Sequence, residues 1–318
     1  MIDFRYHLIS IIAVLLALAI GILAGSGFLG GPVLSDLRHR LNNIATDNSG
    51  LQKDVATLRK TTQQNQVFAQ ATEPWLVQTA LAGSAIVLLE PQGTDTAASN
   101  NIVSAIATAG GTVRSTITFT DKLALADPTS VNQLALTIHS TSGAGRKLRD
   151  QAAMLLGERA AAAASRSLSV DTGKPSEDAL RFDDLLNQLE RNGFITRDQS
   201  QSGMAAAPGT LFVVLAGSVD HPPFPATDFC LTLARSLAAH SAVVLAAEPS
   251  TSTWNFVSTV RSDARAQKTV ATVDNADTVP GGIAAVLGLR EAIRGRIGNY
   301  GFGPGADAVI PQPAVSPS

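Results

Sequence analysis

The sequence predicts an α/β protein: an N-terminal transmembrane helix, a coiled-coil stalk, then a mostly parallel sheet flanked by helices. Three observations carry that expectation. Residues 8–34, LISIIAVLLALAIGILAGSGFLGGPVL, contain no charged residue. Behind them, apolar residues recur in alternating steps of three and four, the period of a coiled-coil seam. From residue 84 onward, short apolar runs alternate with helical patterns, as in sheets built from βαβ units. A chain of 318 residues has room for an anchor, a spacer and one substantial domain.

The anchor is expected over residues 1–34. About 20 apolar residues suffice to cross a bilayer core, and this run is longer. A secretory signal has a shorter apolar part, a positive start and a small-residue cleavage site. Here Asp3 opposes Arg5 at the start, and Gly25, Ser26 and Gly27 come after an already long run. An uncleaved signal-anchor fits better than a removed signal. A buried core helix fits poorly, because the run is apolar on every side rather than striped. Arg5 stands on one side of it, and Arg38, Arg40 and Lys53 on the other. Taken literally, that bias places the bulk of the chain in the cytoplasm, although long domains can translocate regardless of charge.

The stalk is expected over residues 35–74. The seam reads Leu34, Leu37, Leu41, Ile44, Asn48, Leu51, Val55 and Leu58. With Leu34 at heptad position a, Leu41, Asn48 and Val55 also fall at a. Leu37, Ile44, Leu51 and Leu58 fall at d. One Asn at a, with mostly Leu at d, favours a parallel pair and fixes its register. Asp54 at g can reach Arg59 at e of a partner. From Thr61 the seam turns polar, and Pro74 is expected to interrupt the helix. Such a stalk is about 55–60 Å long at 1.5 Å per residue. The alternative is an amphipathic helix folded back on its own domain.

The α/β domain is expected over residues 84–300. SAIVLLEP ends at Pro91, NNIVSAIATAGG reads as a helix closed by Gly110 and Gly111, and TVRSTITF alternates as a strand. Helical patterns cover 131–139, 144–168 and DALRFDDLLNQLERNGF. LFVVLAG, a helix over 228–239, AVVLAAEP, a helix near 254–261, the weaker strand TVATV and a helix over 282–294 follow. Residues 199–209 read as a loop. The likeness of SAIVLLEP to SAVVLAAEP suggests two similar halves, with convergence of apolar strands as the alternative. Residues 301–318, rich in Gly and Pro, are expected to be a disordered tail.

Chemistry-bearing motifs are sparse. In open α/β sheets ligands bind at the carboxyl ends of the strands. Glu90, Ser218, Asp220, His221 and Glu248 are expected there. No G-x-G-x-x-G follows a strand, no P-loop is present, and GSVDH lacks the spacing of a nucleophile elbow. Cys230, the one cysteine, sits in the apolar pattern DFCLTLA and reads as a small core residue; no internal disulfide can form. His7, His39, His139 and His240 are scattered. With three Met and no clustered Cys or His, no built-in soft-metal site is expected. A net charge of −2 gives no general attraction to nucleic acid. No catalytic residues, cofactor or metal ligands are assigned, and the chain is not expected to be an enzyme. An enzyme using Glu90 and Glu248 is the minor alternative.

The opening RYHLISIIAVLLALAIGILAGSGF, the stalk, AIVLLEP, NGFIT at 192–196 and the closing VDNADTVPGGIAAVLGLREAIRGRIGNYGFG resemble the mycobacterial copper transport protein B family. The resemblance runs through nearly the whole chain in order. It implies a cell-envelope protein that limits intracellular copper, for which an outer-membrane pore has been proposed. A related branch is similar to a partner in envelope complexes that control peptidoglycan hydrolysis during cell separation. The resemblance therefore implies a single-pass envelope protein whose domain is extracytoplasmic, against the charge bias. An outer-membrane barrel needs many alternating strands of about 9–11 residues, and only TVRSTITF has that look. The expected function is copper efflux or tolerance. The alternative is a coiled-coil scaffold regulating a peptidoglycan hydrolase. The expected partners are a membrane, a second copy or another protein through the stalk, and copper ion.

Overall fold

The computed structural model describes residues 4–165, 175–198 and 203–312, and for residues 26–34 it describes the backbone alone. The chain divides into two units, Met1–Val67 and Phe68–Ser318.

Helix α1 runs over Phe4–Val77, 74 residues. Its span Phe4–Gly25 has a mean hydropathy of 2.8 and none of it is buried. Among the described residues it is the one helix long and apolar enough to cross a membrane. Pro32 does not break α1. Nor does Pro74, contrary to expectation: the helix continues to Val77, and the Gln78 amide donates to the Pro74 carbonyl at 2.9 Å. Proline removes one donor, but its own carbonyl can still accept, so a proline in the last turn need not end the helix there.

In the second unit, seven strands form one sheet: β1 (Ala85–Pro91), β2 (Thr112–Phe119), β3 (Ile195–Asp198), β4 (Leu211–Leu215), β5 (Val244–Ala247), β6 (Ala271–Val273) and β7 (Asn299–Tyr300). The spatial order is β3-β2-β1-β4-β5-β6-β7. Every pairing is parallel except β2 with β3. The α/β expectation holds.

Period-two alternation sorts the strand residues to two faces. Val87, Leu89, Phe212, Val214, Val244 and Ala246 belong to one core. That core is covered by α3 (Pro128–Thr137), α4 (Gly145–Ala164), α5 (Glu177–Arg191), α6 (Ala226–Ala239) and α7 (Phe256–Ser262). Ile86, Leu88, Val213, Leu215, Leu245 and Ala247 belong to the other, under α2 (Thr96–Thr108) and α8 (Val279–Ile293). Because both faces are covered, the central strands read as unbroken apolar runs.

Helix α8 lies on the α2 face although β7 extends the sheet away from β2. The crossover β6–α8–β7 therefore has the opposite hand to β4–α6–β5, against the usual rule. Small residues let α8 pack closely there. A Cβ at Gly282 would sit 3.0 Å from Ala105 Cβ, and one at Gly288 would sit 3.3 Å from the Tyr300 ring.

Two further expectations need correction. The strand order makes β4, not β5, the opening strand of a second half, so SAIVLLEP and SAVVLAAEP do not start equivalent halves. The segment after Tyr300 is not a free tail through residue 312. Tyr300 bridges to Ala308, Asn299 donates its amide to Asp307 at 2.8 Å, and Pro311 is buried. Residues 313–318, the rest of that expected tail, lie outside the described residues. So do residues 166–168 of the expected helix over 144–168, and 199–202 of the expected loop.

Candidate functional site

Two regions collect the residues singled out from the sequence: one face of α1, and the carboxyl edge of the sheet.

On α1, the side chains of Leu37, Leu41, Ile44, Leu51, Val55 and Leu58 are 45–66% exposed. Seven-residue spacing keeps them on one stripe, so the chain presents a row of apolar side chains to solvent. Asn48 is exposed within that row, and Gln52 Nε2 donates to its Oδ1 at 3.4 Å. Asp36 and Arg40, one turn apart, form an ion pair at 2.9 Å. The side chain of Leu34 lies outside the described residues.

At the carboxyl edge, Glu90, the penultimate residue of β1, stands opposite Thr118 and lies on the α2 face. Burial pushes its carboxyl above the usual range, opposed by a hydrogen bond from Ser99. Its Oε2 is buried with no hydrogen-bond partner among the described residues. Glu248, after β5, has a different environment. Its Oε1 accepts from Ser252 Oγ at 2.6 Å and from the Phe256 amide at 3.0 Å, and its Oε2 accepts from the Val257 amide at 2.9 Å. It thus satisfies donors at the start of α7, where negative charge is favoured. Strand β4 lies between β1 and β5, and the two side chains stand on opposite faces of the sheet, Glu90 in register with Ile86 and Leu88 and Glu248 with Val244 and Ala246.

Ser218, Asp220 and His221 share the loop after β4. The Ser218 carbonyl accepts from the Thr253 amide at 2.9 Å, and the Asp220 carbonyl accepts from Trp254 Nε1 at 2.6 Å. These bonds tie the loop to the one after β5, while the Asp220 and His221 side chains face solvent.

The crevice between β1 and β4 is where doubly wound sheets hold ligands. Here the loop after β4 packs against the loop after β5 and is hydrogen-bonded to the loop after β1. A Cβ on Gly217 would lie 2.6 Å from Ser252 Oγ and 2.8 Å from Pro249 Cδ. The Asp95 amide donates to the Gly217 carbonyl at 2.9 Å. The Asp95 carboxylate accepts from the amides of Ala97 at 2.8 Å and Ala98 at 3.0 Å. An acidic side chain thus holds the helix terminus that would otherwise attract a phosphate.

Cys230 is fully buried in α6, and burial pushes its thiol far up, away from the reactive thiolate. His240 Nδ1 lies 2.8 Å from the Ser236 carbonyl. His7, His39 and His139 are exposed. No three His, Cys, Asp or Glu side chains are grouped to hold a metal among the described residues.

The sequence reading missed two buried arginines. Arg197 reaches Glu190 Oε2 at 2.5 Å and Asp183 Oδ1 at 3.3 Å, fastening β3 to α5. Arg261 reaches Asp274 Oδ2 at 2.7 Å, the Tyr300 carbonyl at 2.8 Å and the Pro304 carbonyl at 2.9 Å. The available signal was GNYGFG. Gly301 has φ +124°, and a Cβ there would collide with Asp274 Oδ1.

A family model described as "Copper transport outer membrane protein, MctB" matches residues 1–311. The chain belongs to the MctB family. "Copper transporter MctB" of Mycobacterium leprae (strain TN) is 32% identical, over 98% of this chain and 100% of the relative. The proteins of the same name in Mycobacterium bovis (strain ATCC BAA-935 / AF2122/97) and Mycobacterium tuberculosis (strain ATCC 25618 / H37Rv) are each 30% identical, over 97% of this chain and 99% of the relative. The MctB match covers both units, so α1 and the sheet belong to one family architecture.

Proposed function

We propose that this MctB-family chain is a single-pass cell-envelope protein acting in copper efflux or tolerance, with its α/β domain on the extracytoplasmic side. One observation carries the anchoring: the 22-residue span Phe4–Gly25, apolar and wholly exposed, in a chain whose family is described as a copper transport outer membrane protein. An exposed stretch of that length and hydropathy is stable in lipid and unfavourable in water. The family description also supports an extracytoplasmic domain, against the Lys and Arg bias around the span.

The carboxyl edge supports a non-catalytic domain. Glu248 is engaged by the amides of α7, and Glu90 is separated from it by β4. Copper is the cargo of the process, not a resident cofactor.

The test is deletion of the gene and re-expression of the full chain. Deletion is expected to raise cell-associated copper and copper sensitivity, and the full chain is expected to restore both. Unchanged copper content on deletion would refute the reading.

A further inference from the structure

We infer that the seam of α1 is the interface for a second copy of this chain, paired parallel and in register. The inference rests on reading α1 as an anchored helix and names the partner of its exposed face.

From Leu34 to Leu58 the heptad is unbroken for three and a half repeats, long enough to specify a coiled coil. Its described apolar members are open to solvent on the single chain. The choice of a second copy, and of a parallel one, comes from Asn48. In a parallel, in-register pair each a residue meets its own copy, so Asn48 faces Asn48 and the two amides can hydrogen-bond. An antiparallel pair over the same residues would set Asn48 against Ile44 and bury an amide without a partner. The charges agree: Asp54 at g lies across from Arg59 at e of the other copy, opposite in sign. Two copies anchored at the same end in one membrane also have the same direction, and confinement there raises their effective concentration.

Cysteine cross-linking of the purified full chain in lipid vesicles tests this. Cys230 is buried, so the unaltered chain gives the background. Leu51→Cys at d and Val55→Cys at a lie on the seam, whereas Lys53→Cys at f lies on the opposite side. On oxidation, both seam variants are expected to shift to the mass of a pair, with Lys53→Cys staying at the mass of one chain. Equal cross-linking at all three positions, or none at the seam in chains that float with the vesicles, would overturn the inference. An antiparallel pair sets Leu51 opposite Leu41, so it would fail this test. Seam cross-linking in a chain that does not float would refute the anchor and leave the pair standing.

Discussion

Arg261 and Asp274 form a buried ion pair, Nη1 to Oδ2 at 2.7 Å, with side chains only 6% and 13% exposed. The amides of Phe302 and Gly303 donate to the same carboxylate at 2.8 and 2.9 Å. One carboxylate therefore joins α7, the end of β6 and the C-terminal segment. Removing it leaves a buried guanidinium without its counter-charge. Asp274→Ala is expected to cost about 3–5 kcal/mol in chemical denaturation. It should also open the segment after Tyr300 to limited proteolysis. Wild-type stability with an intact segment would show that Arg261 holds the segment through the Tyr300 and Pro304 carbonyls alone.

Glu248 takes two amides at the start of α7 and the Ser252 hydroxyl. Glu248→Gln keeps the shape but replaces one accepting oxygen with an NH2 group. The expected loss is about 1.5–3 kcal/mol of stability, the range for hydrogen bonds to a charged group. Copper handling should be unaffected in cells holding wild-type amounts of the chain. Loss of copper tolerance at full stability would instead give Glu248 a chemical role.

Glu90 should behave in the opposite way. Its folded-state carboxyl is raised by burial above the ordinary 4.5. Between the unfolded and the folded value, the folded chain binds more protons. Stability must therefore fall as pH rises through that window. Glu90→Gln is expected to raise the denaturation midpoint at pH 7 and flatten that fall. A lower midpoint for the variant at pH 7 would mean that the ionised carboxylate is stabilised in the fold.

These three positions also show what the sequence made legible. β1, β4 and β5 are visible as apolar runs because covered sheet faces need apolar residues on both sides. The N-terminal apolar helix is visible because its run is long and uncharged. β3 was invisible: ITRD is short and three of its four residues are polar, as an antiparallel edge strand can be, and Arg197 is held by α5 carboxylates. β7 has only two residues, too few for any pattern. Glu90 and Glu248 were correctly placed at strand ends, yet their environments depend on Ser99 and on the amides of α7. The Arg261–Asp274 pair was hidden because its other partners, Tyr300 and Pro304, lie some 40 residues away in sequence.

Leu51→Pro removes a helix hydrogen bond and clashes with the preceding turn, costing about 3 kcal/mol or more. The seam lies in the first unit and the sheet in the second. The variant should lose the cross-linked pair while the α/β domain keeps its melting temperature. A persisting pair would place the contact outside the seam, and a molten domain would show that the stalk supports its fold.

Anchoring and copper handling are joined in the central claim, and one measurement tests that join: cell-associated copper in deletion cells expressing Leu15→Arg, with the chain's membrane fraction followed in parallel. Arginine near the middle of Phe4–Gly25 costs about 2.5–3.5 kcal/mol of insertion. The expected result is a chain lost from the membrane fraction and copper that stays as high as in the deletion. A chain off the membrane that still returns copper to the wild-type level would contradict the claim.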